Sequence, residues 1–243
     1  MRLTGTFLTG IALGIQAARA HSYITSFIID GVTYGGFHPR DPDANPDVLA
    51  AWKTTVPDDG WVGVNDYETP DIVCHLNATN ANGNLAIEAG NTIHFQWNGW
   101  PESHHGPVIT YMAYCGEDPA SCARANKTDL EFFTIDEVGL ISPNGTLNLY
   151  PSAMGIWATD QQQQLHRRDP PALAPGNYVL RHEIIALHYA LEPDLGPQHY
   201  PQILPMPYPI PGPELIEEAA PSADQTSAVI TSTGTAQLAE PTE

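Results

Sequence analysis

Between Thr92 and Trp97 the chain reads TIHFQW: Ile93, Phe95 and Trp97 fall on one side of an extended backbone, and Thr92, His94 and Gln96 on the other. This period of two is what a half-buried strand requires, because successive side chains of an extended chain point to opposite faces. YITSFIIDG, Tyr23 to Gly31, and VITYMAY, Val108 to Tyr114, read the same way. The turn APGN, Ala174 to Asn177, launches YVLRHEIIALH, whose composition would also suit a helix. The β-branched pair Ile184 and Ile185, with that turn before it, tips the segment to a strand. With 23 prolines and 20 glycines cutting the chain into short pieces, many short strands and few helical periods predict an all-β sandwich.

The first twenty residues stand apart. Arg2, an apolar run from Phe7 through Ile15 and the small-x-small site Ala18-Arg19-Ala20 make a secretory signal peptide, too short to anchor in a bilayer. We therefore expect a secreted, extracellular protein. Cleavage after Ala20 leaves seven basic side chains against 28 acidic ones, a net charge of −21. That charge repels phosphate backbones and anionic membranes, which argues against nucleic-acid and membrane partners and leaves a neutral or insoluble substrate such as a polysaccharide. From Pro205 onward the chain is rich in Pro, Ser, Thr and Ala, carries only acidic charge and is too short for a second domain. The expected division is a signal peptide over 1–20, one β-domain over 21–213 and a flexible acidic tail over 214–243. DQQQQLHRRDPPALAPG, Asp160 to Gly176, reads as a long surface loop.

Of three cysteines, Cys115 and Cys122 flank a short loop and are expected to pair, which leaves Cys74 over. Asn77, Asn126 and Asn144 each open an Asn-x-Ser/Thr triplet, the acceptor pattern for N-glycosylation on a secreted chain.

Ten histidines accompany only nine Lys and Arg, and three places concentrate the chemistry. Cleavage after Ala20 would make His21 the first residue, offering an α-amine and a ring nitrogen from one side chain, a chelate suited to copper(II). Composition alone would sometimes put a histidine after a cleavage site, so position raises the question without settling it. WPESHHGPVITYMAY, Trp100 to Tyr114, sets His104 and His105 before a Gly-Pro turn and a strand, either a preorganised ligand loop or a polar turn. In RHEIIALH and GPQHYPQ, His182 and His188 share a strand face, and Gln198 and Tyr200 are two apart. Tyr200 suits a weak axial ligand or, on spacing alone, a core tyrosine.

Taken in order, a histidine after the signal, TPDIVCH, WPESHHGPVITY, KTDLEFFTIDEVGLI, APGNYVLRHEIIALH and QHYPQ resemble the fungal lytic polysaccharide monooxygenases of auxiliary activity family 9. The resemblance runs from His21 to about Gln202. It implies an immunoglobulin-like antiparallel β-sandwich with long loops and a flat face that meets cellulose or a related β-1,4-glucan. It implies one copper ion held by His21 and His104, with Tyr200 as the distant axial ligand and His188 and Gln198 as hydrogen-bonding partners beside it. His105 matches a position that is not a ligand. An external electron donor and dioxygen or hydrogen peroxide are the implied co-reactants, the products are sugars oxidised at C1 or C4, and a monomer is expected.

The chain departs from that pattern after Gln202. The family usually has a cysteine next, partner to the one in TPDIVCH; here Ile203 stands there, and PQIL runs almost directly into PYPIPGP. A copper- or glucan-binding protein of the same fold without turnover is the alternative these departures raise.

Overall fold

A computed structural model describes residues 22–101, 104–142, 156–158, 164–168, 173–187, 209–217, 219, 221 and 228–242. Among them are twelve strands: β1 (Ile24–Ile29), β2 (Val32–Gly35), β3 (Gly83–Asn84), β4 (Thr92–Trp97), β5 (Val108–Gly116), β6 (Phe133–Val138), β7 (Leu140–Ser142), β8 (Ile156–Trp157), β9 (Gln164–Arg168), β10 (Asn177–Ile184), β11 (Ser232–Thr233) and β12 (Gln237–Leu238). The only α-helical stretch among these residues is the single turn α1 (Ser121–Arg124). None of them forms a helix long and apolar enough to cross a membrane.

One sheet has the order β11-β2-β1-β4-β9 and the other β10-β5-β6, with small pairs β12-β3 and β7-β8 beside them. This is the expected antiparallel β-sandwich. The alternation in β4 explains how the layers meet. Ile93 and Phe95 are buried and pack with Ile29, Val108 and Ala158, and Phe27 meets Phe95 edge to face at 6.0 Å. Phe95 is 1% exposed, so truncating it to Ala would cost about 3–5 kcal/mol. β5 is buried on both faces from Val108 to Ala113, because β10 and β6 flank it and loops cover the face away from the core. In the other layer His182 lies flat on Phe95, with ring centroids 4.4 Å apart, while its Nδ1 meets Thr110 Oγ1 at 2.9 Å. This histidine belongs to the core.

Two expectations are corrected. The stretch Asp160 to Gly176 contains β9, which pairs residue by residue with β4. The expectation of a flexible tail fails for residues 228–242: β11 extends the first sheet in parallel with β2, and β12 pairs with β3. The physical reason is shared. A sheet edge presents a row of unpaired N–H and C=O groups, and a polar segment can satisfy them through its backbone whatever its side chains.

Cys115 and Cys122 form the expected disulfide. Cys74 is a free thiol. The residue presents surface to solvent, yet packing around the sulfur dominates: burial pushes the thiol up to about 11, with Arg181 and Lys127 pulling the other way. The segment that carries it is held by Arg181, whose Nε donates to Val73 O at 3.1 Å and whose Nη2 donates to Ile72 O at 3.0 Å. Glu183 holds the guanidinium at 2.7 Å and also accepts from the Tyr111 hydroxyl, over whose ring Arg181 lies. Burial and the Glu183 carboxylate push the Tyr111 hydroxyl well above the usual phenol range.

Candidate metal centre

The corner where β4 ends and β5 begins carries the one expected ligand that falls within the described residues, His104. Gly99, at φ 124°, turns the chain out of β4 in a backbone region that favours glycine. His104 N–H then closes a turn onto Pro101 O at 3.0 Å. Trp100 Nε1 donates to His104 O at 2.8 Å, and its ring stands edge-on to the imidazole, with centroids 5.9 Å apart. Trp97 backs Trp100 at 6.0 Å. The result is a buried imidazole fixed by backbone on one side and an aromatic wall on the other.

Behind it the loop is sewn to the continuation of β10. Leu187 N–H donates to His105 O at 2.9 Å and Ile185 N–H to Pro107 O at 3.1 Å. Any side chain at position 106 would place its Cβ 1.8 Å from Ile185 O, so the glycine of Ser-His-His-Gly-Pro is there for close approach of two backbones. His105 is buried in this seam.

The start of the described chain lies at the same corner. Asn98 N–H donates to Tyr23 O at 3.1 Å, and Asn98 Oδ1 accepts from Tyr23 N–H at 3.1 Å and from the Ser22 hydroxyl. Asn98 Nδ2 donates to Asp59 Oδ2 at 3.3 Å. Asp59, with its side chain 6% exposed, is gripped by Arg40 through two bonds of 2.9 and 2.6 Å. Sequence reasoning passed over Asn98, Asp59 and Arg40. The only local signals were an Asn-Gly pair at a strand end and an Asp-Asp-Gly turn, both ordinary loop vocabulary.

Of the other expected site residues, His21, His188, Gln198 and Tyr200 lie outside the described residues, as does Asn144. Among the described residues no cluster of three or more His, Cys, Asp or Glu could hold a metal. The donor chemistry at this corner is nitrogen: a fixed imidazole, with Ser22, the neighbour of His21, anchored at the end of the same strand that leads to His104. Imidazole nitrogen suits copper(II), so the one donor described here is of the kind that ion takes. Asn77 and Asn126 are both exposed. Asn126 Oδ1 caps the turn at Thr128, which leaves its amide nitrogen open to modification.

The family model for Auxiliary Activity family 9 (formerly GH61) matches residues 21–205. A lytic polysaccharide monooxygenase of that family from Emericella nidulans is 43% identical over 205 residues, covering 80% of this chain and 47% of its own length. One from Thermoascus aurantiacus is 43% identical over 190 residues, covering 76% of this chain and 78% of its own length. Among solved structures, the extended catalytic domain of H. jecorina LPMO9A superposes with a TM-score of 0.74 at 35% identity, over 90% of this chain and all of that one. The chain thus spans about half of the first relative and over three-quarters of the second.

Proposed function

The chain belongs to Auxiliary Activity family 9, and from that premise we propose that it is a secreted, copper-dependent monooxygenase that cleaves cellulose or a related β-1,4-glucan by hydroxylation at C1, C4 or both. The observation that carries the reading is the buried His104, locked in its turn at the corner where the chain start is anchored. Removal of residues 1–20 would free the α-amine of His21. His21 and His104 would hold one copper ion, with Tyr200 as a further, weaker ligand. Copper supplies the redox chemistry by which dioxygen or hydrogen peroxide, with an external electron donor, oxidises a sugar C–H bond. His188 and Gln198 would orient Tyr200 and the oxygen co-substrate by hydrogen bonds. Hydroxylation beside the glycosidic oxygen weakens that bond until it breaks. The domain over 21–213, with the strands of residues 228–242 added to its sheets, acts as a monomer, with no nucleic-acid or membrane partner, and glycans sit at Asn77, Asn126 and Asn144.

An amine must bind the metal as its free base, so copper affinity falls as pH drops below the ordinary α-amine value of about 8. The test is the electron paramagnetic resonance spectrum of the secreted protein with one equivalent of copper(II), alongside product analysis on glucans with reductant. Nitrogen couplings that lose one contribution, with weaker copper binding, in His104→Ala, together with oxidised oligosaccharides from the wild type, are expected. Copper bound without nitrogen couplings would overturn the ligand assignment. Glucan binding without oxidised products would instead favour a binding protein of the same fold, the reading that Ile203 and the short run after Gln202 motivate.

A further inference from the structure

We propose that Asn98, held in one orientation by the Asp59–Arg40 pair, is the positioning residue that sets the start of the mature chain against His104. The inference rests on the copper reading above. Ladder pairing between β1 and β4 reaches Ile24 and Trp97, with an irregularity between Ile24 and Ser26. Beyond it a chain end would fray, and a terminal residue that must supply two metal ligands cannot be left to do so. Asn98 takes over at that point. Its backbone N–H holds Tyr23 O, and its side-chain carbonyl holds Tyr23 N–H and the Ser22 hydroxyl.

An amide can be turned end for end, and only one orientation works here. Oδ1 must face Tyr23 N–H, because an NH₂ group there would set donor against donor. Asp59 enforces the choice: an ionised carboxylate accepts only, so it requires the Nδ2 end of the amide. Arg40 in turn aims Asp59 through a two-bond grip. Asn98 is also the residue from which the backbone turns, through Gly99, toward Trp100 and His104. One residue therefore governs the spacing of the segment that ends in His21 and the segment that carries His104.

The experiment uses the secreted full chain, its start at His21 verified by intact mass. Copper(II) affinity is measured by competition and the paramagnetic spectrum is recorded for wild type, Asn98→Ala, Ser22→Ala and Asn91→Ala. Asn91 sits beyond the opposite end of β4 with its own carboxylate partner, Asp30, at 3.1 Å, and controls for loss of an asparagine bond as such. Loss of a group that orients a ligand typically weakens metal binding by about 10–100-fold. Asn98→Ala is expected to weaken copper at least about 10-fold and to alter the nitrogen couplings. Ser22→Ala should do so by about 2–3-fold, and Asn91→Ala not at all. Wild-type affinity and couplings in both Asn98→Ala and Ser22→Ala would overturn the proposal, and Ser22→Ala alone decides it if Asn98→Ala is not secreted. A wild-type protein without nitrogen-coupled copper would overturn the functional reading and this proposal with it.

Discussion

The segments around the candidate centre and the segment over residues 228–242 are both attached to the sandwich, by opposite means. Near the centre and along the adjoining β10 the attachments are particular side chains in partly buried surroundings: Asn98 on Tyr23, Asp59 between Asn98 and Arg40, and, on β10, Arg181 on the carbonyls of Ile72 and Val73. The C-terminal segment is attached chiefly by backbone. Thr231 N–H donates to Gly31 O at 2.8 Å, Gly234 N–H to Thr33 O at 2.9 Å and Ala239 N–H to Asn82 O at 2.9 Å, while Val229 and Ile230 stay 77% and 57% exposed. Side-chain anchoring can be broken by one substitution. Backbone anchoring resists most substitutions but yields to proline or to deletion.

The sharpest test of the first half is Arg181→Leu, which removes two bonds to loop carbonyls and leaves Glu183 with Tyr111 alone. Breaking a fully buried ion pair costs about 3–5 kcal/mol. Here both partners keep roughly a fifth of their side-chain surface, so about 2–3 kcal/mol is expected, a fall in Tm of roughly 4–12 °C by calorimetry. Hydrogen exchange at residues 72–75 should quicken before the rest of the fold does. Uniform exchange with an unchanged Tm would remove Arg181 from the comparison. Asp59→Ala ranks next, at about 1–2 kcal/mol, because Arg40 is exposed enough to recover its hydration once its partner is gone. A change in urea midpoint without a change in slope would report it.

The same division decides what could be read from the sequence. TIHFQW became β4 over its whole length, because alternation, burial and pairing agree there. Gly106 in Ser-His-His-Gly-Pro marked a real close approach. The Cys115–Cys122 loop closed as expected. By contrast β9 and β11 lie in polar or low-complexity sequence and exist because a neighbouring strand offers an open edge, a property of the sheet that leaves no mark on the segment that fills it. Asn98 was missed for a third reason. Its importance lies in partners 39 and 75 positions away along the chain, and an Asn-Gly pair looks alike whether or not such partners arrive.

The C-terminal segment should give smaller effects. Gly234→Pro removes the N–H that bonds Thr33 O and brings new atoms toward the Tyr34 ring, which already lies 2.5 Å from where a Cβ would stand. The damage has a ceiling, because the segment can let go. A few net backbone hydrogen bonds, at about 0.5–1.5 kcal/mol each, are offset by ordering the chain that makes them, at roughly 1–2 kcal/mol per residue. Gly234→Pro and truncation after residue 227 are therefore expected to lower Tm equally, by about 1–4 °C. Val229→Ser should stay within about 0.5 kcal/mol of wild type. A proline effect well above the truncation would show that the clash spreads into β2.

The smallest effect is expected at the segment's last anchor. Thr242 donates its backbone N–H and its hydroxyl to Asp118 Oδ2 at 3.1 and 3.2 Å. The Ala120 N–H first, then Thr242 and the nearby Arg124, hold the Asp118 carboxyl below its ordinary value of 3.8. A carboxyl whose value is depressed on folding contributes its stability fully above the unfolded value and loses it as pH falls through the lower folded one. Thr242 should therefore stay bound from neutrality down to about pH 4 and release only below that. The bonds from Thr231 and Gly234 go to carbonyls, which do not titrate, so they should persist after Thr242 is free. Amide chemical shifts followed by NMR through that range would separate the two. Simultaneous loss at all three positions would mean that the segment docks as one cooperative unit, with Asp118 setting its pH limit, and its strength would then be a single quantity rather than a set of local ones.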